Sequence, residues 1–491
     1  MVSMKKYLLI CTLFCFIGIG ILTIQGIEEN NNFLNAQIVE KKKEMVSFKD
    51  PALEKLIREK INKPQGNIYK SDVEKITSLK AKRTDISSLE GIQFLTKLTE
   101  LELTFSNIGD IRPLKDMNKL TKLDLGWNDI KDLTPLKNLT NLIHLELQSN
   151  DITNIEALSN LTNLQKLDLD FNKISNIVPL SKLTKLKELD LYTNKIEDIV
   201  PLSNLINLTE LSLGFNKISN INSLRNLTKL KILEARQNEI IDIKPLNNLT
   251  NLVQLYLDTN KIKDISPLSN LKKIDFLSLE YNQISSLIGL SSLSNLTHLR
   301  LDRNRINDLK GLENLTNLER LRLPENQISN VNELSSLTKL IQLVLNDNNI
   351  THVSPLSNLV NLRTLDISNN KISDISSLWE LPNLTSLNFV GNPLPQYVYK
   401  QVLYEDFILS SLFPYINKAI DEYYIKHYGG SRQFMDAGIL DIKKENGYYE
   451  LKVRVTTFVG AHNPPYGLDT MTIVKDGSEI YVKDFIHEDI E

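Results

Sequence analysis

Phe105, Trp127, Phe171, Phe215, Tyr281 and Arg303 each stand one residue before a position that returns every 22 residues along the chain. Tyr192, Tyr256, Phe276, Arg300, Arg320 and Arg322 lie two, four or six residues before the same positions. Rings and guanidinium groups in such a series suit recognition, because they bury large area with few rotors and pair with charged or peptide groups. Interleaved with the first rings are Glu100, Glu102, Asp124, Glu146, Asp168, Asp170, Glu188, Asp190 and Glu210, against Lys122 and Lys166. The pattern predicts a ligand-binding face, acidic at one end and basic near Arg300–Arg322. It suits a protein or peptide of opposite polarity, steered by charge and anchored on the rings.

Catalytic chemistry has little footing. His144 and His298 are isolated strand positions and His352 falls in a return loop. Evenly spaced carboxylates describe a charged surface rather than an acid/base pair, and no compact Asp-x-Asp-x-Asp-Gly calcium loop is present. His462, His487, Glu488 and Asp489 are the one group that could converge on a metal, a reading outweighed by that of a docking loop and a solvated tail. No catalytic residue, metal or cofactor is expected. A net charge of −3 and a pI near 6.2 give no general pull toward nucleic acid.

The recurring position is asparagine thirteen times, from Asn128 to Asn392, with degraded copies at Ser106 and Thr84. A Leu-x-Leu-type strand precedes each one and a branched apolar residue follows two places on, as in Leu123-Asp-Leu125-Gly-Trp-Asn128-Asp-Ile130. That period is the signature of a leucine-rich-repeat solenoid. In one turn Leu142, Leu145 and Leu147 point inward, Asn150 turns the chain, and Ile152, Ile155, Leu158 and Leu161 fill the core from the return. Pro135 in the return favours a short 3₁₀ segment over a long helix. Asn-Leu-Thr, formally a glycosylation acceptor, recurs from Asn138 to Asn383 and is read as repeat consensus at a fixed repeat position. The fold class is therefore α/β, with a curved parallel sheet and short returns. Such a solenoid offers a long exposed face and no enclosed pocket.

Before the repeats, Asp50-Pro51 reads as a helix start, with Leu53, Leu56, Ile57 and Ile61 on one apolar face. Ser71-Asp-Val-Glu74 reads as a capping box that starts a second helix. Together they predict a helical cap over 46–78 and the solenoid over 79–395. After Pro393-Leu-Pro395 the pattern predicts a separate small α+β domain, 396–491: a helix near Tyr397–Tyr428, then strands Ala437–Lys443, Tyr448–Phe458, Thr470–Val474 and Glu479–Phe485. At the other end, Lys5-Lys6 and the apolar run 7–24 predict a signal peptide or an uncleaved membrane anchor within 1–27, followed by a polar spacer over 28–45. Cys11 and Cys15 lie in that run and no thiol follows, which excludes disulfides and cysteine chemistry downstream.

Leu-Asp-Leu-Asp-Phe-Asn172-Lys-Ile-Ser-Asn-Ile-Val-Pro-Leu180 resembles the repeat unit of the internalins, secreted or surface proteins of Gram-positive bacteria. The stretch from Phe48-Lys-Asp-Pro through Val73-Glu-Lys-Ile-Thr-Ser-Leu79 to Ile86-Ser-Ser-Leu-Glu-Gly-Ile92 is similar to their helical cap. The segment around Phe458-Val-Gly-Ala-His-Asn-Pro-Pro-Tyr-Gly467 resembles a domain of unknown function found in exported proteins of spore-forming bacteria. The resemblance implies an extracellular or cell-surface, monomeric protein that binds its ligand on the concave strand face, with adhesion as one use. No immunoglobulin-like module or sorting motif is visible, so host invasion is not part of the expectation. Two rivals stand beside it: a structural or sensory scaffold of the producer's own envelope, and a hydrolase with its site in the C-terminal domain.

Overall fold

A computed structural model describes residues 44–428, 433–445, 448–459, 463–476 and 479–490. The apolar run 7–24, most of the spacer and His462 lie outside the described residues. No helix among those described is long and apolar enough to cross a membrane.

Helix α1 (Pro51–Lys60) begins where Asp50-Pro51 predicts. Asp50 Oδ1 accepts from the N–H groups of Ala52 and Leu53 at 2.9 and 3.1 Å. Its Oδ2 accepts from Ser87 N, Ser87 Oγ and Ser88 N at 2.7, 3.0 and 3.2 Å, tying the cap to the first repeat. Burial alone would raise the Asp50 pKa; the hydrogen bonds from Ser87, Leu53 and Ser88 outweigh it and hold the carboxyl below its ordinary value. The second helix departs from expectation. Helix α2 is Lys70–Val73, capped at Tyr69, so Ser71 lies inside it and Glu74 ends it. Asp72, held by Lys63 at 2.7 Å, accepts from Tyr69 N–H at 2.9 Å and does the work expected of Glu74.

Strand β1 is Ser78–Lys82 and β2 is Glu100–Thr104. Three-residue strands then repeat every 22 residues from β3 (Lys122–Asp124) to β15 (Ser386–Asn388). They form one fifteen-stranded parallel sheet in chain order. Register follows the period: Leu101 lies beside Leu123, and Asp168 beside Asp190. The chain divides into two compact units, Met1–Glu239 and Ile240–Glu491. Through the repeats the core is a stack of like layers, such as Leu145, Leu147, Ile152, Ile155, Leu158 and Leu161, all buried. Most returns are 3₁₀ segments, such as Thr134–Leu136. A side-chain oxygen two residues ahead starts many of them, as Asp132 does for Thr134 N at 2.9 Å.

The repeating asparagine joins neighbouring turns. Asn150 Oδ1 accepts from Ile130 N at 2.9 Å, and its Nδ2 donates to Leu125 O at 3.1 Å and Leu147 O at 3.0 Å. The residue before it is always in the left-handed region, with φ from 47° at Phe171 to 59° at Trp127 and 83° at Gly391 before the last asparagine. Left-handed backbone suits glycine or asparagine and costs other residues about 1 kcal/mol. Thr259 (φ 53°) is β-branched and is the wrong type for that backbone. Thr259→Gly is therefore expected to stabilise the protein by about 0.5–1 kcal/mol in urea titration. Any loss of stability would mean the threonine side chain outweighs its strain.

Asn-Leu-Thr is not confined to one repeat position. Asn138, Asn160, Asn226, Asn248 and Asn314 lie at the ends of the returns. Asn207, Asn295 and Asn383 lie three residues later in the repeat, where their Nδ2 groups donate to carbonyls of the previous turn at 2.8–2.9 Å. The motif arises twice because Asn-Leu-(Thr/x)-Asn-Leu fills both steps of the return.

After the repeats, helix α3 (Gln396–Tyr428) is followed by β16 (Gln433–Glu445), β17 (Tyr448–Val459), β18 (Asn463–Asp476) and β19 (Glu479–Ile490), an antiparallel sheet in that order. Leu412, Ile416, Ile420 and Tyr424 of the helix pack on Leu451, Val453, Val455, Met471 and Ile473. Most strands extend beyond the apolar runs that announce them. Antiparallel pairing carries polar positions such as Lys443–Glu450 and Asp476–Glu479 into the ladder.

Candidate functional site

The strand-face positions carry the sequence-predicted rings, and the structure sorts them into groups. Trp127, Phe171, Phe215 and Tyr281 are 49%, 50%, 40% and 44% exposed, far too open for core residues. Phe105 and Trp127 stack at 4.8 Å between centroids, 9° from parallel, with Lys82 above Phe105 at 4.9 Å. Phe171, Tyr192 and Phe215 form a second group, with centroids 5.9 and 5.0 Å apart in succession. Tyr192 lies close against Gly214, where a Cβ would sit 2.6 Å from its ring, so a glycine there permits the group. Ser149 occupies the ring position between Trp127 and Phe171, so the ladder is interrupted rather than continuous. In the second unit Tyr256 meets Phe276 at 4.9 Å, and Phe276 stacks on His298 at 5.8 Å. His298 had looked isolated along the chain; its stacking partner sits one period earlier. Burial, then the neighbouring Arg320, holds its pKa below the ordinary histidine value.

The expected basic cluster is largely neutralised within the protein. Arg322 pairs with Asp302 at 2.6 Å, Arg303 with Glu325 at 2.6 Å and Arg300 with Glu280 at 3.8 Å. Arg300 also covers Phe276, and Arg303 covers Tyr281 at 4.8 Å. Arg320 is exposed at the adjoining strand position. Sequence order hid this pairing because Asp302 is twenty residues from Arg322 yet diagonal to it across one register step.

The acidic stretch is a different environment from the evenly charged surface expected. Asp168 ends β5 (Lys166–Asp168), Asp190 ends β6 (Glu188–Asp190), and Asp170 follows β5. Their carboxylate oxygens lie within 4.8 Å of one another. Asp170 Oδ1 is buried and has no hydrogen-bond partner among the described residues. Burial, then repulsion from Asp170 and Asp190, pushes the Asp168 pKa to about 7, against the bond it accepts from Asp170 N–H; burial and Asp190 push Asp170 to about 6. Asp190 is also raised, chiefly by burial. Lys166, Glu146, Glu188 and Tyr192 are the other ionisable groups beside them.

These raised pKa values have a sign. The folded protein holds protons on Asp168 and Asp170 that an unfolded chain, with values near 3.8, would release. Stability contributed this way is present in acid and is lost as pH rises through about 6 to 7. The melting temperature should therefore fall between about pH 5 and about pH 8, and Asp168→Asn should flatten the slope. A profile unaffected by Asp168→Asn would show these carboxyls to be solvated.

In the C-terminal element His462 and the Asp489 side chain lie outside what the structure describes, and the described residues around His487 form a different group. His487 Nδ1 lies 2.7 Å from Asp469 Oδ1 and 2.7 Å from the Tyr424 hydroxyl. Thr457 Oγ1 donates to Asp469 Oδ2 at 2.8 Å. Glu488 is exposed, on the opposite side of β19 from His487, as strand alternation requires. The Asp469 partnership was hidden because β18–β19 pairing, unknown from sequence, sets it opposite His487.

Stacked 22-residue turns, one parallel strand each, with exposed side chains along the sheet, define a leucine-rich-repeat solenoid. Leucine-rich-repeat family models match 94–111 and 116–133, and in two-copy form 140–182, 162–204, 184–226, 228–270 and 360–397. The chain belongs to the internalin family: it is 35% identical to the crystal structure of an internalin (InlF) from Listeria monocytogenes, covering 70% of this chain and 96% of that one, with a TM-score of 0.63. The functional domain of InlJ from the same species shares the fold at 20% identity and TM-score 0.58, over 90% of this chain and 97% of that one. The plant peptide hormone receptor RGFR1, in complex with RGF2, is 25% identical over 62% of this chain and 60% of its own, at TM-score 0.51. Residues 404–489 match a family of proteins of unknown function, DUF3888. No curated protein matches the chain.

Proposed function

We propose that this protein is an exported scaffold that binds a protein or peptide on the strand face of its repeats. The observation that carries the reading is the placement of Trp127, Phe171, Phe215 and Tyr281: half-exposed rings on left-handed backbone. Bulky residues pay strain there and gain little core burial, so the choice of ring is better explained by a ligand than by the fold. The plant peptide hormone receptor in complex with RGF2 is in keeping with a repeat protein that binds a protein or peptide. Extracellular or cell-surface location, tethering through 7–24, a monomeric state, the absence of catalysis, and the division into cap (46–78), repeats (79–395) and C-terminal domain (396–491) belong to the same proposal. A scaffold for the producer's own envelope is the second reading.

The test is capture by the immobilised full chain from host-cell surface extract and, separately, from the producer's envelope extract. The double variant Trp127→Ala/Phe171→Ala should weaken the captured ligand by about 2 kcal/mol or more per ring. Capture from host extract alone supports an adhesin, and capture from envelope alone supports the self scaffold. Equal affinity for wild type and variant would remove the aromatic face from the binding site.

A further inference from the structure

The sheet around β5, β6 and β7 (Glu210–Ser212) differs from the rest of the strand face in how its charges are balanced. On neighbouring turns, carboxylates meet cations of the protein itself: Glu102 pairs with Lys80 and Lys122, Glu146 with Lys166, and Glu234 with Arg236. Asp168, Asp170, Glu188, Asp190 and Glu210 form no ion pair among the described residues. Beside them lie the half-exposed rings of Phe171 and Phe215, with Tyr192 between. Carboxylates next to π faces are complementary to a planar cation, which donates hydrogen bonds in its plane and takes aromatic partners above it.

We propose that this patch receives an arginine side chain from an extended segment of the protein partner. Its guanidinium would donate to Asp168 and Asp190 and lie against the rings of Phe171 and Tyr192. This rests on the strand-face binding reading above and specifies the partner's chemistry at one part of that face. The buried, unpartnered Asp170 Oδ1 supplies an acceptor that the protein leaves unused. Burial, then repulsion between the carboxylates, raises the pKa values of Asp168 and Asp170, and a bound guanidinium would lower them. Lysine would supply the charge without the planar fork, so arginine is the better fit. The Arg300–Arg322 region is not an equivalent docking place, since Arg300, Arg303 and Arg322 already have carboxylate partners.

The experiment uses the full chain and two synthetic probes, a tetra-arginine peptide and its neutral tetra-citrulline counterpart, followed by isothermal titration calorimetry. Tetra-arginine should bind, and tetra-citrulline should bind at least about tenfold more weakly. Asp168→Asn/Asp190→Asn should lower tetra-arginine affinity by about tenfold, as should Phe171→Ala/Phe215→Ala, while Asp366→Asn on the second unit's strand face should leave it unchanged. Melting temperatures report folding; neutralising Asp168 and Asp190 should hold or raise them, because it removes buried like charges. Equal binding of the two probes, or equal loss with Asp366→Asn, would overturn the proposal. If a captured natural partner is lost with Phe171→Ala/Phe215→Ala but not with Asp168→Asn/Asp190→Asn, strand-face binding stands and the arginine inference falls. If tetra-arginine depends on the carboxylates while no partner engages the rings, the patch stands and the wider reading falls.

Discussion

Asn172→Ala is expected to destabilise the repeats by about 4 kcal/mol, far more than an ordinary surface-loop substitution. The carboxamide accepts from Ile152 N at 3.0 Å and donates to Leu147 O at 3.1 Å, Leu169 O at 3.1 Å and Asp170 O at 3.0 Å. Alanine would leave several backbone groups without partners in a space closed to water, each costing about 1–3 kcal/mol. Two of the bonds reach the previous turn, so the damage falls on the interface between repeats as well as within one. A solenoid holds together through such nearest-neighbour interfaces. Urea unfolding should therefore show a lower midpoint and a shallower slope, as the transition loses cooperativity around the break. Asn172→Asp tests the chemistry: it keeps the acceptor, loses both donors and buries a charge, so it should be no milder than alanine. A change below about 1 kcal/mol for both variants would mean that leucine packing alone holds the turns together.

The asparagine ladder was legible because one residue type at one period leaves little freedom: Asn128 to Asn392 imply a buried amide, and the structure supplies its partners. The 3₁₀ returns were legible from Pro135 and its equivalents, and the first cap from Asp50-Pro51. What escaped was mostly lateral. Asp168 and Asp190 are 22 residues apart and therefore side by side on adjacent strands, but evenly spaced charges look solvated until the depth of the sheet surface is known. Neutralisation of Arg322 by Asp302 depends on a diagonal contact, and the sorting of the rings into groups on which of them reach one another. The start of α2 shifted from Ser71 because Lys63, in the preceding loop, positions Asp72; a local capping rule does not include that partner. The left-handed residue before each asparagine was not foreseen. The residues there range from Trp127 to Asp347 and share no type, so only the backbone reveals the constraint.

Asp469→Ala should be comparably severe, costing about 3–5 kcal/mol in the C-terminal element. Asp469, Thr457 and Tyr424 are fully buried and the His487 side chain is 5% exposed, so this polar group lies in an apolar setting. The carboxylate accepts from Thr457 Oγ1 at 2.8 Å and from the Tyr424 hydroxyl at 3.0 and 3.1 Å, and it faces His487 Nδ1 at 2.7 Å. These partners come from α3, β17 and β19, so one side chain fixes the helix and three strands in a single arrangement. Removing it strands several polar groups at once, whereas Tyr424→Phe removes one hydroxyl and should cost only about 1–2 kcal/mol. Gly467→Ala gives an independent approach, because a Cβ there would lie 2.6 Å from His487 Cε1 and 2.7 Å from Thr457 Oγ1. It should push the same group apart without removing a polar atom. Hydrogen exchange resolves the location: amides of β16 to β19 should lose protection in Asp469→Ala and Gly467→Ala, while those of β1 and β2 keep theirs. Unchanged protection in β17 and β18 would mean that the apolar layer of Ile416, Ile420, Val453 and Met471 holds the element alone. The polar group would then be free to have been kept for a task other than folding.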